Sequence, residues 1–274
     1  MSAQQIIFFK KNKIDLDNEN IEITATDLVA TDNGQDYVDF MRNRNLTSAW
    51  MTTGSTDAAN TQLDIVLSDS EDVSEIVLVG VNLKAYTIKY HNGITFVDFS
   101  TPINVSGNTA TTKRHSFNAV TSDQFRIIIT GTMVANDDKQ IKQLIFTEYL
   151  LTGQLNGFPI IKLPTLSANK RINKMLSGKA NVVESIGSFS CDLNVANWRD
   201  DDDLTLVEEL YFGRAPALLW LCGGDETQFS SVRIGYRLED FFLVRPVDEY
   251  QPEWYKGLYA TGMKIGMKLE EVVS

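Results

Sequence analysis

Leu63-Asp64-Ile65-Val66-Leu67 and, after eight intervening residues, Ile76-Val77-Leu78-Val79 decide how this 274-residue chain is read. Both are runs of strand length rich in β-branched and apolar residues. The same pattern recurs at Tyr86-Thr87-Ile88-Lys89-Tyr90, Phe125-Arg126-Ile127-Ile128-Ile129 and Ile141-Lys142-Gln143-Leu144-Ile145-Phe146. Asn92-Gly93 directly follows one of these runs, and that dipeptide accepts the positive φ of a tight hairpin. Helix-length periodicity is absent here except over Tyr37 to Arg44. Strands at this spacing predict an antiparallel sandwich.

Beyond residue 150 the pattern changes. Thr152-Gly153-Gln154-Leu155-Asn156-Gly157-Phe158-Pro159 is a turn cluster and marks a boundary. Residues 1–150, including an N-terminal strand within 5–16, are expected to form the first domain, 151–160 a connector and 161–274 a second domain. In that domain Arg171 to Leu176 and Lys179 to Glu184 flank Ser177-Gly178 as a hairpin, and Phe189, Cys191, Leu193 and Val195 alternate on one face of a half-buried strand. Asp200-Asp201-Asp202-Asp203 then precedes Leu204, Val207, Leu210 and Tyr211, the stripe of one short amphipathic helix closed by Gly213 and followed by Pro216. Strands resume at Ala217 to Cys222, Val232 to Val244 and Tyr255 to Leu269, the last two long enough for a broad ribbon.

The composition is globular, 43% hydrophobic and 22% charged, with a net charge of −11. Of the 25 basic and 36 acidic residues, 12 and 19 fall up to Leu150, leaving 13 and 17 beyond it, so neither half offers a basic surface to nucleic acid. No apolar run of membrane-spanning length occurs, and Met1 to Lys11 has no basic leader, so no membrane insertion or secretion is expected. Cys191 and Cys222 suit buried thiols made in a reducing cytosol. Those cysteines and His91 and His115 lack ligand spacing, and no zinc site or other cofactor is expected.

The four aspartates at 200–203 are better explained as helix-capping carboxylates than as a cation loop, because the alternating ligands, central Gly and distal Glu of such a loop are missing. Asp36, Asp39 and Asp64 are the candidates for a glycosidase pair, but hydrolysis needs a defined separation across a cleft. His91 and His115 have no nucleophile partner, and no phosphate-loop, dinucleotide or metalloprotease motif occurs, so no catalytic residue is assigned. Of Trp50, Trp198, Trp220 and Trp254, only Trp50 falls in a segment that reads as loop. With Arg42, Arg44 and Asn45 it forms the candidate ligand-facing set.

Ser48-Ala49-Trp50, the runs at 63–67 and 76–82, Tyr86 to Tyr90 with Asn92-Gly93 and Phe96, and Phe125 to Ile129 with Ile141 to Glu148 form an ordered series that resembles the galactose-binding-like, discoidin-type (F5/8 type C) β-sandwich, a jelly roll. The resemblance implies binding of glycans, lipids or proteins through loops at one end, with structural calcium in some members. The second domain, by its order of hairpin, strand, helix, strand and terminal segment Lys264 to Leu269, looks like the small tail-tube-like β-barrel with one flanking α-helix of tailed-phage tail and baseplate proteins. Together these imply a non-enzymatic distal-tail component of a virion, made in the bacterial cytoplasm. It would form a ring with copies of itself and neighbouring tail proteins, and hold tail fibres or touch host-surface glycan. The alternatives are a soluble carbohydrate-binding protein with an accessory β-domain, and a glycan hydrolase.

Overall fold

The structure is a computed structural model. It describes residues 5–16, 18, 20–43, 48–57, 59–155, 160–162, 169–174, 180–185, 190–198, 201–212, 217–220, 242–251, 253–256 and 261–271. The chain is mainly β and divides into two units, Lys11–Tyr149 and a second built from Met1–Lys10 with Leu150–Ser274. The N-terminal strand therefore does not stay with the sandwich. In β1 (Gln5–Phe9), Ile7, Phe8 and Phe9 pair antiparallel with Trp220, Leu219 and Leu218, and Ile6 and Phe8 join the apolar core of the C-terminal unit. The reason is legible in the run itself, since Ile6 to Phe9 is apolar at every position and needs a core on more than one side.

The Lys11–Tyr149 unit contains β2 (Glu22–Thr26), β3 (Trp50–Thr56), β4 (Thr61–Val79), β5 (Leu83–His91), β6 (Phe96–Val97), β7 (Ile103–Val105), β8 (Lys113–Thr132), β9 (Asp138–Ile141) and β10 (Gln143–Thr147). One sheet runs β10-β4-β8-β5-β6, with β2 also on β4 and β7 on β5, and β3 pairs with β9. The two apolar runs that read as separate strands are the two ends of β4. The polar stretch between them is where β4 and β8 bend together, their ladder shifting register between Val66 and Glu71 and again between Val73 and Glu75. Upstream of the bend β4 carries β2, and downstream it carries β10. Both halves close on one core. Leu63, Ile65, Ile127 and Ile129 come from one half and Ile76, Leu78 and Phe146 from the other, and the Phe125 and Phe146 rings lie 4.8 Å apart. Strands that change layer at a bulge make the corner of a sandwich.

The two ends of this unit run side by side. Phe146 accepts the Lys13 N–H at 2.8 Å. The buried Asn12 side chain donates to the Leu144 carbonyl at 3.2 Å and accepts the Phe146 N–H at 2.9 Å. The unit thus begins and ends in one neck, as an insertion between two strands of another domain must.

The other unit contains β11 (Tyr149–Leu155), β12 (Ile160–Lys162), β13 (Asn169–Lys174), β14 (Ala180–Ser185), β15 (Ser190–Trp198), α1 (Asp201–Phe212), β16 (Ala217–Trp220), β17 (Phe242–Pro246), β18 (Glu253–Lys256) and β19 (Thr261–Glu271). Its pairings run β11-β1-β16-β17-β19, and β15 joins β19 back to β11, so the path closes on itself. Val207 and Leu210 of α1 meet Leu193, Val195, Ile265 and Met267 in its core. The expected 171–184 hairpin is β13 with β14. The segment Tyr255 to Leu269, expected as one long strand, is instead β18 turning back onto β19, Lys256 opposite Thr261. Most of the expected strand Val232 to Val244, together with Asp200 and Cys222, lies outside the described residues. No described helix is long and apolar enough to cross a membrane.

One half-buried group in the sandwich sets a pH limit on it. His115 Nε2 and Tyr86 Oη lie 2.8 Å apart, and burial, aided by the Lys113 charge, pushes the imidazole down to about 4. Because the unfolded chain binds this proton near pH 6.5 and the folded chain does not, stability is complete above pH 6.5 and falls as pH drops toward 4. The slope is at most about 1.4 kcal/mol per pH unit, lessened by solvent at the exposed edge of the ring. His115→Gln removes this contribution, and thermal unfolding at pH 4.5 and 7 will show a smaller pH dependence for the variant than for the parent.

Candidate functional site

Between β2 and β3 the chain forms a 3-10 helix, Gly34–Met41. With three residues per turn, side chains three apart eclipse one another, so Tyr37 stacks over Phe40 and Asp36 stands over Asp39. Met41 is fully buried and Val38 packs on the core, which holds the helix down on its other side. Gln35 ties it to the edge of β2, accepting the Ala25 N–H at 2.5 Å and donating to the Ile23 carbonyl at 3.1 Å. The Tyr37 and Phe40 rings are left outward, centroids 5.6 Å apart and planes 28° from parallel, each ring residue 37% exposed. Asn33 Nδ2 reaches the Tyr37 hydroxyl at 3.4 Å.

The floor beneath this shelf is a hydrogen-bonded loop. Asp32 accepts the Gly34 N–H at 2.7 Å and the Ser55 N–H at 3.1 Å. Burial works to raise its carboxyl, but hydrogen bonds from Ser55, Thr53 and Gly34 outweigh it and hold the group below the usual carboxylate range. Thr53 Oγ1 donates to Asn33 Oδ1 at 2.7 Å and accepts the Asn33 N–H at 3.1 Å. Two aromatic faces on a fixed floor, with the exposed carboxylates of Asp36 and Asp39 beside them, offer apolar contact to a flat ring and acceptors to hydroxyl or amine groups at its rim. The same carboxylates repel anions.

Two of the four residues chosen from sequence, Trp50 and Arg42, are buried. Trp50 is fully buried, with Nε1–H donating to the Gly34 carbonyl at 2.9 Å, so its ring is core and no stacking platform. Arg42, 5% exposed, is also turned inward. Its guanidinium donates to the carbonyls of Ile14, Asp15, Ile21 and Asn18 at 2.9, 3.1, 3.3 and 2.7 Å and meets Asp39 at 3.3 Å. Arg44 and Asn45 lie outside the described residues, as do the side chains of Trp198, Trp220 and Trp254. Asp64 is held by Arg126 through two bonds of 2.6 and 2.9 Å. The His91 ring accepts the Gly93 N–H across its turn at 3.3 Å. Sequence reasoning passed over Tyr37 and Phe40. The available signal was their spacing of three, interleaved with Asp36 and Asp39.

No protein-family model and no curated protein matches the chain. Among solved structures it is similar to a mutant form of chitosan-binding module 1 from a chitosanase/glucanase of Paenibacillus sp. IK-5, at 15% identity and TM-score 0.41, over 50% of this chain and 98% of that one. It is similar to the family 32 carbohydrate-binding module of Streptococcus pneumoniae EndoD, at 17% identity and TM-score 0.39, over 50% and 99%. It also aligns with CpGH89CBM32-5 of Clostridium perfringens, solved with GalNAc-beta-1,3-galactose, at 14% identity and TM-score 0.38, over 46% and 94%. None of these three is a tail or baseplate protein. At this level of likeness the functional reading stands on the geometry of the site itself.

Arg42 supplies the prediction that separates a buried clamp from a ligand contact. Arg42→Ala leaves four carbonyls without their donor, and unfolding in urea will show a loss of about 2–4 kcal/mol. A change under about 0.5 kcal/mol, the range of exposed side chains, would mean that Arg42 is free.

Proposed function

We propose that the Lys11–Tyr149 unit is a glycan-recognition module that binds neutral or amino-bearing sugars on the Tyr37–Phe40 shelf and leaves the glycan uncleaved. The observation that carries this is the exposed aromatic pair with Asp36 and Asp39 at its margin. A pyranose presents C–H groups on one face, which suit an aromatic ring, and hydroxyls at its rim, which suit carboxylate acceptors. The resemblance of the sequence to the galactose-binding-like sandwich supports the same reading. Of the carboxylates named in the sequence as a possible hydrolytic pair, Asp64 is tied to Arg126 and Asp39 lies against Arg42.

A second reading concerns the other unit. Among the described residues β12 pairs with β15 alone and β18 with β19 alone, and strands paired on one side can extend a sheet into a neighbouring copy. On this reading, which rests on the resemblance of the sequence to tail and baseplate proteins, the unit serves a ring-forming role in the distal tail of a tailed phage, and repetition of weak sandwich sites around the ring adds avidity. Light scattering of the full chain over a hundredfold concentration range tests it. Closed species of uniform mass support assembly, and a monomer throughout removes self-assembly.

For the glycan reading, the full chain is screened on immobilised neutral, amino and acidic oligosaccharides, followed by titration of the best ligand. Tyr37→Ala and Phe40→Ala each weaken binding at least tenfold, about 1.4 kcal/mol, with unchanged circular dichroism, and acidic glycans are not retained. Equal binding by both variants, or no retained glycan, contradicts the proposal.

A further inference from the structure

Asn-Gly is a chemically reactive pair as well as a turn former. The glycine has no Cβ to hinder its nitrogen, which can close on the carboxamide carbon of the asparagine before it. Two such pairs lie among the described residues, Asn33–Gly34 and Asn92–Gly93, and the fold holds them differently. At the tip of the β5–β6 hairpin, Asn92 Oδ1 accepts the N–H groups of Ile94 and Thr95, both at 3.0 Å. This folds the carboxamide over the Gly93 peptide and sets two donors on its oxygen. Gly93 N–H donates to His91 Nδ1 at 3.3 Å. Gly93 takes φ +91° with nothing within 4 Å of where a Cβ would stand, and the turn is exposed to water. Asn92 Nδ2 has no hydrogen bond among the described residues. His91 is itself held, its carbonyl accepting from Ser122 Oγ at 2.8 Å and its ring edge-on to Phe96 at 5.2 Å.

A nitrogen whose proton lies on an imidazole, an acyl carbon whose oxygen meets two N–H donors, and an untied leaving group are the parts of an acyl transfer. We propose that the Asn92–Gly93 turn modifies itself, closing to a cyclic imide and opening to aspartate or isoaspartate at position 92. The neutral His91 Nδ1 takes the Gly93 proton as the nitrogen bonds to Asn92 Cγ. The carbonyl electron pair shifts to Oδ1, where the Ile94 and Thr95 N–H groups stabilise it. As that pair returns, the Cγ–Nδ2 bond breaks, and Nδ2 leaves as ammonia with the proton that His91 held. Water then opens the imide at Cγ, giving aspartate, or at the main-chain carbonyl, giving isoaspartate. Either product adds a negative charge to the hairpin tip, and isoaspartate also lengthens the main chain against the pairing of His91 with Phe96. Asn33 lacks this arrangement. Its Oδ1 accepts from Thr53 Oγ1 at 2.7 Å and its Nδ2 donates to the Tyr37 hydroxyl at 3.4 Å, so its leaving group is held. The Gly34 N–H meets the Asp32 carboxylate, which its own hydrogen bonds make a poor base. This inference does not rest on what the shelf binds.

The full chain is incubated at neutral pH, folded in buffer and unfolded in urea, and peptide mapping by mass spectrometry follows conversion at both asparagines. Unfolded, the two convert at similar rates, since only the local sequence acts. Folded, Asn92 converts at least about tenfold faster than Asn33 and at least about threefold faster than it does in urea. His91→Gln keeps an acceptor beside the Gly93 N–H and cannot take up its proton. With unchanged circular dichroism it slows conversion of Asn92 at least about fivefold. The pH–rate profile separates a base from a prop: the parent rate levels off once the imidazole is neutral, and the His91→Gln rate keeps rising with hydroxide. The comparison of the two asparagines uses the parent alone, so it decides the matter even if His91→Gln does not fold. Conversion of Asn92 in the folded chain no faster than that of Asn33 or than in urea, or at the parent rate in native His91→Gln, overturns the proposal.

Discussion

The interaction on which the rest of the sandwich depends is the antiparallel ladder between β4 and β8. It contributes to both sides of the core. Its bend between Val66 and Val73 lets one strand pair serve β2 and β5 at one end and β10 at the other. Backbone hydrogen bonds continue on either side of the bend, while Leu63, Ile65, Ile76 and Leu78 all point to one interior. Without the bulges the apolar residues at the two ends of β4 would lie on a single extended sheet with no facing layer.

That ladder also decides where a ligand can be met. β2 on its edge gives the 3-10 helix a strand to lie against, fixed by Gln35 and by the inward Arg42 and Trp50. The inward residues make the outward ones usable. Burying the large aromatic and the guanidinium anchors the segment, so the Tyr37 and Phe40 rings are held in place before any ligand arrives. The floor contributes in the same way. Asp32 is saturated by main-chain donors, and Lys139 is enclosed by main-chain acceptors, so the loop carries its charges in satisfied positions.

Much of this order was legible in the sequence, because the apolar runs of strands and the stripe of α1 carry their periods openly. The misreadings have physical causes. The runs at 63–67 and 76–79 read as separate strands because the stretch Ser68-Asp69-Ser70-Glu71-Asp72 between them, a bend in one long paired strand, is as polar as a loop. Ile6 to Phe9 was placed with its sequence neighbours, and only long-range pairing with Leu218 to Trp220 reveals the insertion. Arg42 and Trp50 read as ligand contacts because chemical type alone does not show which way a side chain in an irregular segment faces. For the same reason Tyr37 and Phe40 passed as ordinary aromatics. Lys139 gave no sequence signal, since its partners are carbonyl oxygens, which every residue has.

The most direct measurement is a crystal structure of the full chain soaked with a neutral oligosaccharide at saturating concentration. The account predicts a sugar ring lying on Tyr37 and Phe40 with a hydroxyl within hydrogen-bond distance of Asp36 or Asp39. A sugar seated on another loop, with the aromatic pair bare, would contradict it.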